Sequence, residues 1–486
     1  MLEFLKTYKL YLFFAVLAMV FYGAFGYDLQ RSDFVKLISL YGALFFIAYL
    51  LIEKWKLPFI WLAVLGIVFR LVFIVAIPNL SQDFYRFLWD GRLLVQRVNP
   101  YLFTPETYLN TTSWSVINSD ILVAQAEALY HGMGNLNASH YSNYPPLNQL
   151  CFGIAAFFSG KSILGSVVVL RIIIILADIG ILYFGKKLLE DLKLPVQNIF
   201  WYFLSPFIII ELTGNLHFEG VMLFFVVWSL YLLHKGKWFW AAVLLGLSVS
   251  VKLLPLLFLP LFFKYILKKE KKEIVISNEE RNPIPRSFLY FDRRNATKTI
   301  AFYNVTLGTI LLTFAPFLSS EFISNFSATI GLWFQNFEFN ASVYYVIRWI
   351  GFQTVGWNII GTVGKVLPLI VILILLVLTF FRRNSTTQQL ITGILLGVSV
   401  YFLLSTTVHP WYIATPLVLS VFTKYRFPIV WSFVVMLSYT AYGADGFSEN
   451  LWFVAFEYIV VIGFAIWELF YKRVGFKNKT LQEGAF

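Results

Sequence analysis

The sequence predicts an all-α polytopic membrane protein: a bundle of transmembrane helices with a long first loop outside the cytoplasm that carries interfacial helices. Of its 486 residues 59% are hydrophobic and only 13% charged, with a mean hydropathy of +0.73, a balance unsuited to a soluble globule with one ordinary core. The apolar residues are gathered into runs close to the roughly 17–25 residues that carry an α-helix across hydrocarbon. Aromatic residues make up 19%, and Trp and Tyr recur at the ends of those runs, where amphipathic rings favour the headgroup layer.

The runs fall near residues 9–26, 35–52, 57–79, 165–184, 196–213, 217–234, 238–254, 255–267, 298–318, 358–381, 388–405, 409–423, 427–442 and 450–471. The shortest suit half-spans or tilted pairs. The first follows Lys6 and Lys9, but it is long enough to span and lacks a small-residue cleavage pattern. It is expected to stay as an anchor helix rather than leave as a signal peptide. The apolar stretch from Pro145 to Gly160 is expected to be re-entrant or interfacial rather than a full span.

The formal charge of +12 could suggest nucleic acid, but the cations sit in short clusters between apolar runs instead of lining one polar face. Topology explains them better, because Lys and Arg resist translocation. Lys54/Lys56, Lys186/Lys187/Lys193, Lys235/Lys237, the 268–298 segment, Arg382/Arg383, Lys424/Arg426 and Lys472/Arg473 fall on every second connection. That register puts both termini in the cytoplasm and places 80–164, 213–217, 319–357, 405–409 and 443–449 on the other side. Asp83, His217, Glu219, His409 and Asp445 then lie at or near the outer face. The chain divides into N-terminal transmembrane helices (1–56), a catalytic transmembrane module (57–267) that includes the 80–164 loop, a basic cytoplasmic linker (268–297) and C-terminal helices (298–486) with the outer loop 319–357. With Cys151 the one cysteine, no intrachain disulfide can form.

The chemistry is expected where the first long loop opens, at Ser81-Gln82-Asp83-Phe84-Tyr85-Arg86-Phe87-Leu88-Trp89-Asp90-Gly91-Arg92, followed by Asn99-Pro100-Tyr101. On a helix Asp83, Arg86 and Asp90 share one face, so Arg86 could orient either acid. Two readings stand: a structural ion-paired cap, or an acid whose partial desolvation raises its proton affinity until it can serve as a base.

The pattern Ser-x-Asp-x-Tyr-Arg-x-x-Trp-Asp-Gly-Arg followed by Asn-Pro-Tyr resembles the first-loop signature of the polyprenyl-phosphate-mannose-dependent mannosyltransferases of the GT-C class. Tyr144-Pro145-Pro146-Leu147, Asn215-Leu216-His217-Phe218-Glu219-Gly220, the Gly246–Pro255 stretch with Lys252, and His409-Pro410-Trp411-Tyr412 follow in the same order. The resemblance implies a transferase that moves a hexose, here mannose, from a polyprenyl-phosphate donor to a glycan or glycolipid hydroxyl, with inversion. It implies Asp83 as general base, with Asp90 the second choice and Tyr85 among the substrate contacts. One carboxylate suffices, since phosphate leaves without the acid that a glycosidase supplies.

The leaving phosphate needs cations in a dry site. Lys252 is the first candidate, with Arg86 and Arg92 as rivals, though Lys252 could equally snorkel to the interface. His217 and Glu219 could bind substrate or form a satisfied buried pair. His409, Trp411 and Tyr412 are further substrate-binding candidates, the two aromatics also suiting an interfacial belt. No His/Cys/Asp/Glu spacing marks a metal site, so no metal or other cofactor is expected. No glycine-rich phosphate loop points to a nucleotide sugar. The outer stretch with Trp333, Phe334, Phe337, Phe339, Tyr344, Tyr345, Arg348 and Trp349 reads first as an interfacial helix and second as a sugar-stacking surface. The setting expected is a bacterial plasma membrane with the site on the extracytoplasmic side; in an endoplasmic reticulum the sequons at Asn110 and Asn137 would become acceptors. The rivals are a lipid-linked-sugar flippase or transporter, which calls for deep mid-span charges and duplicated halves, and a polysaccharide polymerase or ligase, which calls for a large late loop.

Overall fold

A computed structural model describes residues 2–55, 57–109, 123–267, 293–335, 337–444 and 446–482. Asp445, Asn110 and the 268–292 part of the basic linker lie outside the described residues. The protein is an all-α polytopic membrane protein, as expected; its named strands are the antiparallel two-residue pair Tyr442–Gly443 and Gly446–Phe447. Among the described residues, seven helices are long and apolar enough to cross a membrane: Lys9–Tyr27, Phe34–Lys54, Ile163–Asp191, Asn295–Phe317, Ile360–Phe380, Thr387–Leu404 and Leu451–Phe470. An eighth span is formed if Val196–Phe203 and Pro206–Gly214, bent by 42°, act as one.

The other expected runs are also helical but shorter: Phe59–Leu71, Glu219–His234, Trp238–Val251, Leu254–Leu267 and Phe427–Ala441, with Pro410–Ile413 continuing as Ala414–Ser420. At 1.5 Å per residue the Phe59–Leu71 helix is about 20 Å long, against about 30 Å of hydrocarbon. Two of these segments meet at one end of the bundle, where Lys252 pairs with Glu219. Leu216, before Glu219, has φ 62°; Lys252, after Val251, is extended with φ −147°. Non-helical backbone of this kind is tolerated where protein buries it or a cavity needs it.

Buried ion pairs and arginine clamps hold that end. Arg70 Nε lies 2.9 Å from Asp178, which also accepts from the Tyr202 hydroxyl, while Arg70 Nη1 donates to the Gly66 and Phe203 carbonyls. Arg171 donates to the carbonyls of Thr213, Gly214 and Ile74. Arg70, Arg171 and Asp178 sit inside helices, each hydrogen-bonded by its neighbours, which is the condition for keeping a charge in the interior.

The Pro146–Ser159 helix packs on the Asp83–Val95 helix through stacked Phe87 and Phe152 rings 4.5 Å apart. Gly91 permits this approach: a Cβ there would lie 2.3 Å from the Phe152 carbonyl oxygen. The chain beyond stays with the loop, since Arg92 donates to the Lys161 carbonyl.

Candidate active site

Most of the first-loop signature builds a frame. Asp90 is fully buried and accepts from Arg86 Nε at 2.8 Å, Ser142 Oγ at 2.5 Å and Gln149 Nε2 at 2.8 Å. Arg86 spends Nη1 on the carbonyls of Asn137 and His140. Arg92 is committed to the carbonyls of Ala124 and Lys161 and to Gln125. Trp89 is buried edge-to-face with Tyr108. The Asn99 side chain accepts from Tyr101 N, and the Tyr101 hydroxyl donates to the Tyr144 carbonyl at 2.6 Å. Tyr85 lies flat against Gly132, where any Cβ would strike its ring.

Asp83 is the charged member of the signature that the frame leaves over. It opens the Asp83–Val95 helix, partly buried, and accepts a long 3.3 Å hydrogen bond from Asn137 Nδ2. Burial raises its proton affinity above the ordinary carboxylate range; Lys252, the Asn137 hydrogen bond and Arg31 oppose the rise. Its position is fixed by two asparagines. Asn215 Oδ1 accepts from Leu80 N at 3.0 Å, and Asn79 Nδ2 donates to the Phe25 and Leu29 carbonyls. The loop's entry is thereby pinned both to the 215–218 turn and to the connection after the first helix.

Around Asp83 the bundle end brings together Lys252, Glu219, His217, His409, Trp411 and Tyr412. Lys252 Nζ pairs with Glu219 Oε1 at 2.5 Å; the lysine side chain remains 22% exposed while Glu219 is buried. The imidazoles of His217 and His409 both stack on the Trp411 indole, with centroids 3.6 and 4.6 Å away. Burial, then Lys252, hold both imidazoles down, His409 to about 3, so both are neutral at neutral pH. The Tyr412 ring meets His409 edge-to-face, and its hydroxyl is within electrostatic reach of Glu219 and Asp83.

Two groups that the sequence reading passed over complete the site. Glu211 lies in a π-helical turn, Ile209–Gly214, fully buried, accepting from the Tyr439 hydroxyl at 2.9 Å. Its Oε2 stands 3.9 Å from His217 Nε2, and neither atom has a hydrogen-bond partner. That gap is too long for a direct hydrogen bond. Arg31, in the connection after the first helix, acts electrostatically on Asp83, His217 and His409. The available signal was a cation on a connection that the charge register puts on the outer side.

Of the outer aromatic stretch, Phe339 reaches the site: its backbone pairs with Thr406 and Val408, and its ring lies 5.2 Å from His409. Tyr344 and Arg348 bond to Glu338 and Tyr345 to Glu449, whereas Trp349 is exposed. The side chains of Trp333 and Phe334 lie outside the described residues. No group of three His, Cys, Asp or Glu side chains suited to a metal ion occurs among the described residues.

This constellation gathers a carboxylate, two neutral imidazoles on an indole, and an ion pair whose lysine is 22% exposed, an arrangement suited to proton abstraction beside an anionic leaving group. Residues 30–268 match the family described as "Alpha-(1->6)-mannopyranosyltransferase, N-terminal domain". No curated protein matches the chain.

Proposed function

We propose that this chain, which matches the alpha-(1->6)-mannopyranosyltransferase family through residues 30–268, is a membrane mannosyltransferase that draws mannose from a polyprenyl-phosphate donor and delivers it to a glycan or glycolipid hydroxyl on the extracytoplasmic face. Asp83 is the general base. The acceptor oxygen forms its bond to the anomeric carbon as its proton passes to the Asp83 carboxylate. The bond from that carbon to the phosphate oxygen breaks, and its electron pair leaves with the phosphate. A single displacement inverts the centre, so a β-linked donor yields an α-linked product.

The observation that carries this reading is the division within the first loop: Asp90, Arg86 and Arg92 are consumed by the frame, while Asp83 meets one weak donor and faces Lys252. The family's linkage favours a primary 6-hydroxyl as nucleophile. His217 Nε2 and Glu211 Oε2 would share one sugar hydroxyl, and the Lys252–Glu219 pair lies beside the position of the departing phosphate. The extracytoplasmic assignment is supported by the opposite end of the bundle, which carries Lys186, Lys187, Lys235 and Arg426.

The test uses purified wild type and Asp83→Asn with a synthetic polyprenyl-phosphate mannose and oligomannoside acceptors, product read by mass spectrometry. A positioned base contributes about 10²–10⁴ in rate, so the variant is expected to lose at least about a hundredfold in kcat with thermal stability no lower than wild type. Undiminished kcat would remove Asp83 from the mechanism. Transfer from a nucleotide sugar in place of the lipid donor would overturn the donor assignment.

A further inference from the structure

We propose that Arg31, in the short connection between the first two helices, holds the phosphate of the lipid-linked donor; the inference rests on the lipid-phosphate reading above. The connection spans residues 28–33, and its acidic members are already engaged. Asp28 pairs with Lys36 at 2.6 Å, and Asp33 caps the following helix through Lys36 N. Arg31 has no carboxylate ion-paired to it among the described residues, and its buried Nε has no hydrogen-bond partner. Its guanidinium carbon lies 3.3 Å from the centroid of the Tyr442 ring at the rim of the site. A guanidinium laid on an aromatic face keeps its in-plane N–H groups free for an anion.

Elimination leads to the same residue. Arg86 and Arg92 are bonded to loop carbonyls, and Lys252 is neutralised by Glu219. A phosphate arriving beside Asp83 and Glu219 would meet net negative charge unless another cation stood there. Arg31 is that cation, since its charge acts on Asp83, Glu211, His217 and His409 together. The donor phosphate is a diester with one negative charge, and the released polyprenyl phosphate is a monoester carrying up to two. A planar fork gripping two oxygens therefore binds more strongly as the sugar bond breaks, which is the requirement for transition-state stabilisation.

The experiment compares binding of farnesyl phosphate and farnesol to the purified full-length protein in wild type, Arg31→Gln and Arg31→Lys, with thermal unfolding as the folding control. Arg31→Gln is expected to weaken farnesyl phosphate roughly 10- to 100-fold, the range for losing a charged hydrogen-bond pair, and to leave farnesol unchanged; Arg31→Lys should fall between. Wild-type affinity for farnesyl phosphate in Arg31→Gln overturns the assignment. If that variant fails to fold, Arg31→Lys decides: a several-fold loss supports the fork and full affinity refutes it. Phosphatidylglycerol micelles form the control arm, and equal Arg31 dependence there would make the residue a bilayer anchor instead. If wild type itself does not prefer the phosphate over the alcohol, the lipid-phosphate reading fails, whatever Arg31 does.

Discussion

Replacing Asp90 separates the two first-loop acids. Its carboxylate is out of water and faces Arg86, whose side chain is 3% exposed. Asp90→Ala would leave that guanidinium without its counter-charge, and breaking one side of a buried pair costs about 3–5 kcal/mol. Ser142 and Gln149, both buried, lose their acceptor as well, adding about 1–3 kcal/mol for each group left unsatisfied. Against a total stability of roughly 5–15 kcal/mol, Asp90→Ala is expected not to accumulate as folded protein. Asp90→Asn keeps the shape and loses the charge, so the expected loss is about 1.5–3 kcal/mol, the worth of a charge-assisted bond. The assay is unfolding by SDS titration in mixed micelles, paired with mannosyl transfer normalised to folded enzyme. Asp90→Asn should be less stable and stay within about tenfold of wild-type turnover, a change of about 1.4 kcal/mol in the barrier. A variant as stable as wild type but devoid of transfer would refute the reasoning and make Asp90 the base.

Three further outcomes follow from the same geometry. Because burial raises the proton affinity of Asp83 and a base acts only when ionised, kcat/KM should rise with pH through a midpoint above the ordinary carboxylate range, measured as a pH–rate profile. The folded state binds this proton more tightly than the unfolded chain, so the stability it contributes is full below the unfolded pKa and lost as pH rises through the folded one; Asp83→Asn should abolish that slope in unfolding measured across acid pH. Gly91→Ala places a methyl group 2.3 Å from the Phe152 carbonyl oxygen, a backbone atom that cannot rotate away. It should cost about 1–3 kcal/mol, seen as earlier thermal unfolding, and unchanged stability would show that the two helices are free to separate.

The amino-acid sequence alone determined the membrane class, the location of nearly every helix and the loop that carries Asp83, because apolar run length and cation placement are local consequences of bilayer thickness and translocation cost. It also brought Asp83, His217, Glu219, Lys252 and His409 into view, each standing out as a polar group against an apolar background. Which of the four first-loop charges stay available was decided only by tertiary structure: Arg86, Asp90 and Arg92 look as reactive as Asp83 until the 123–161 stretch folds back to supply their carbonyl, serine and glutamine partners. Glu211 and Arg31 were hidden for the same reason. One is a lone acid inside an apolar run and the other a lone cation in a short turn. Glu211 is held by the Tyr439 hydroxyl and Arg31 lies on the Tyr442 ring, contacts between distant parts of the chain that no local pattern encodes.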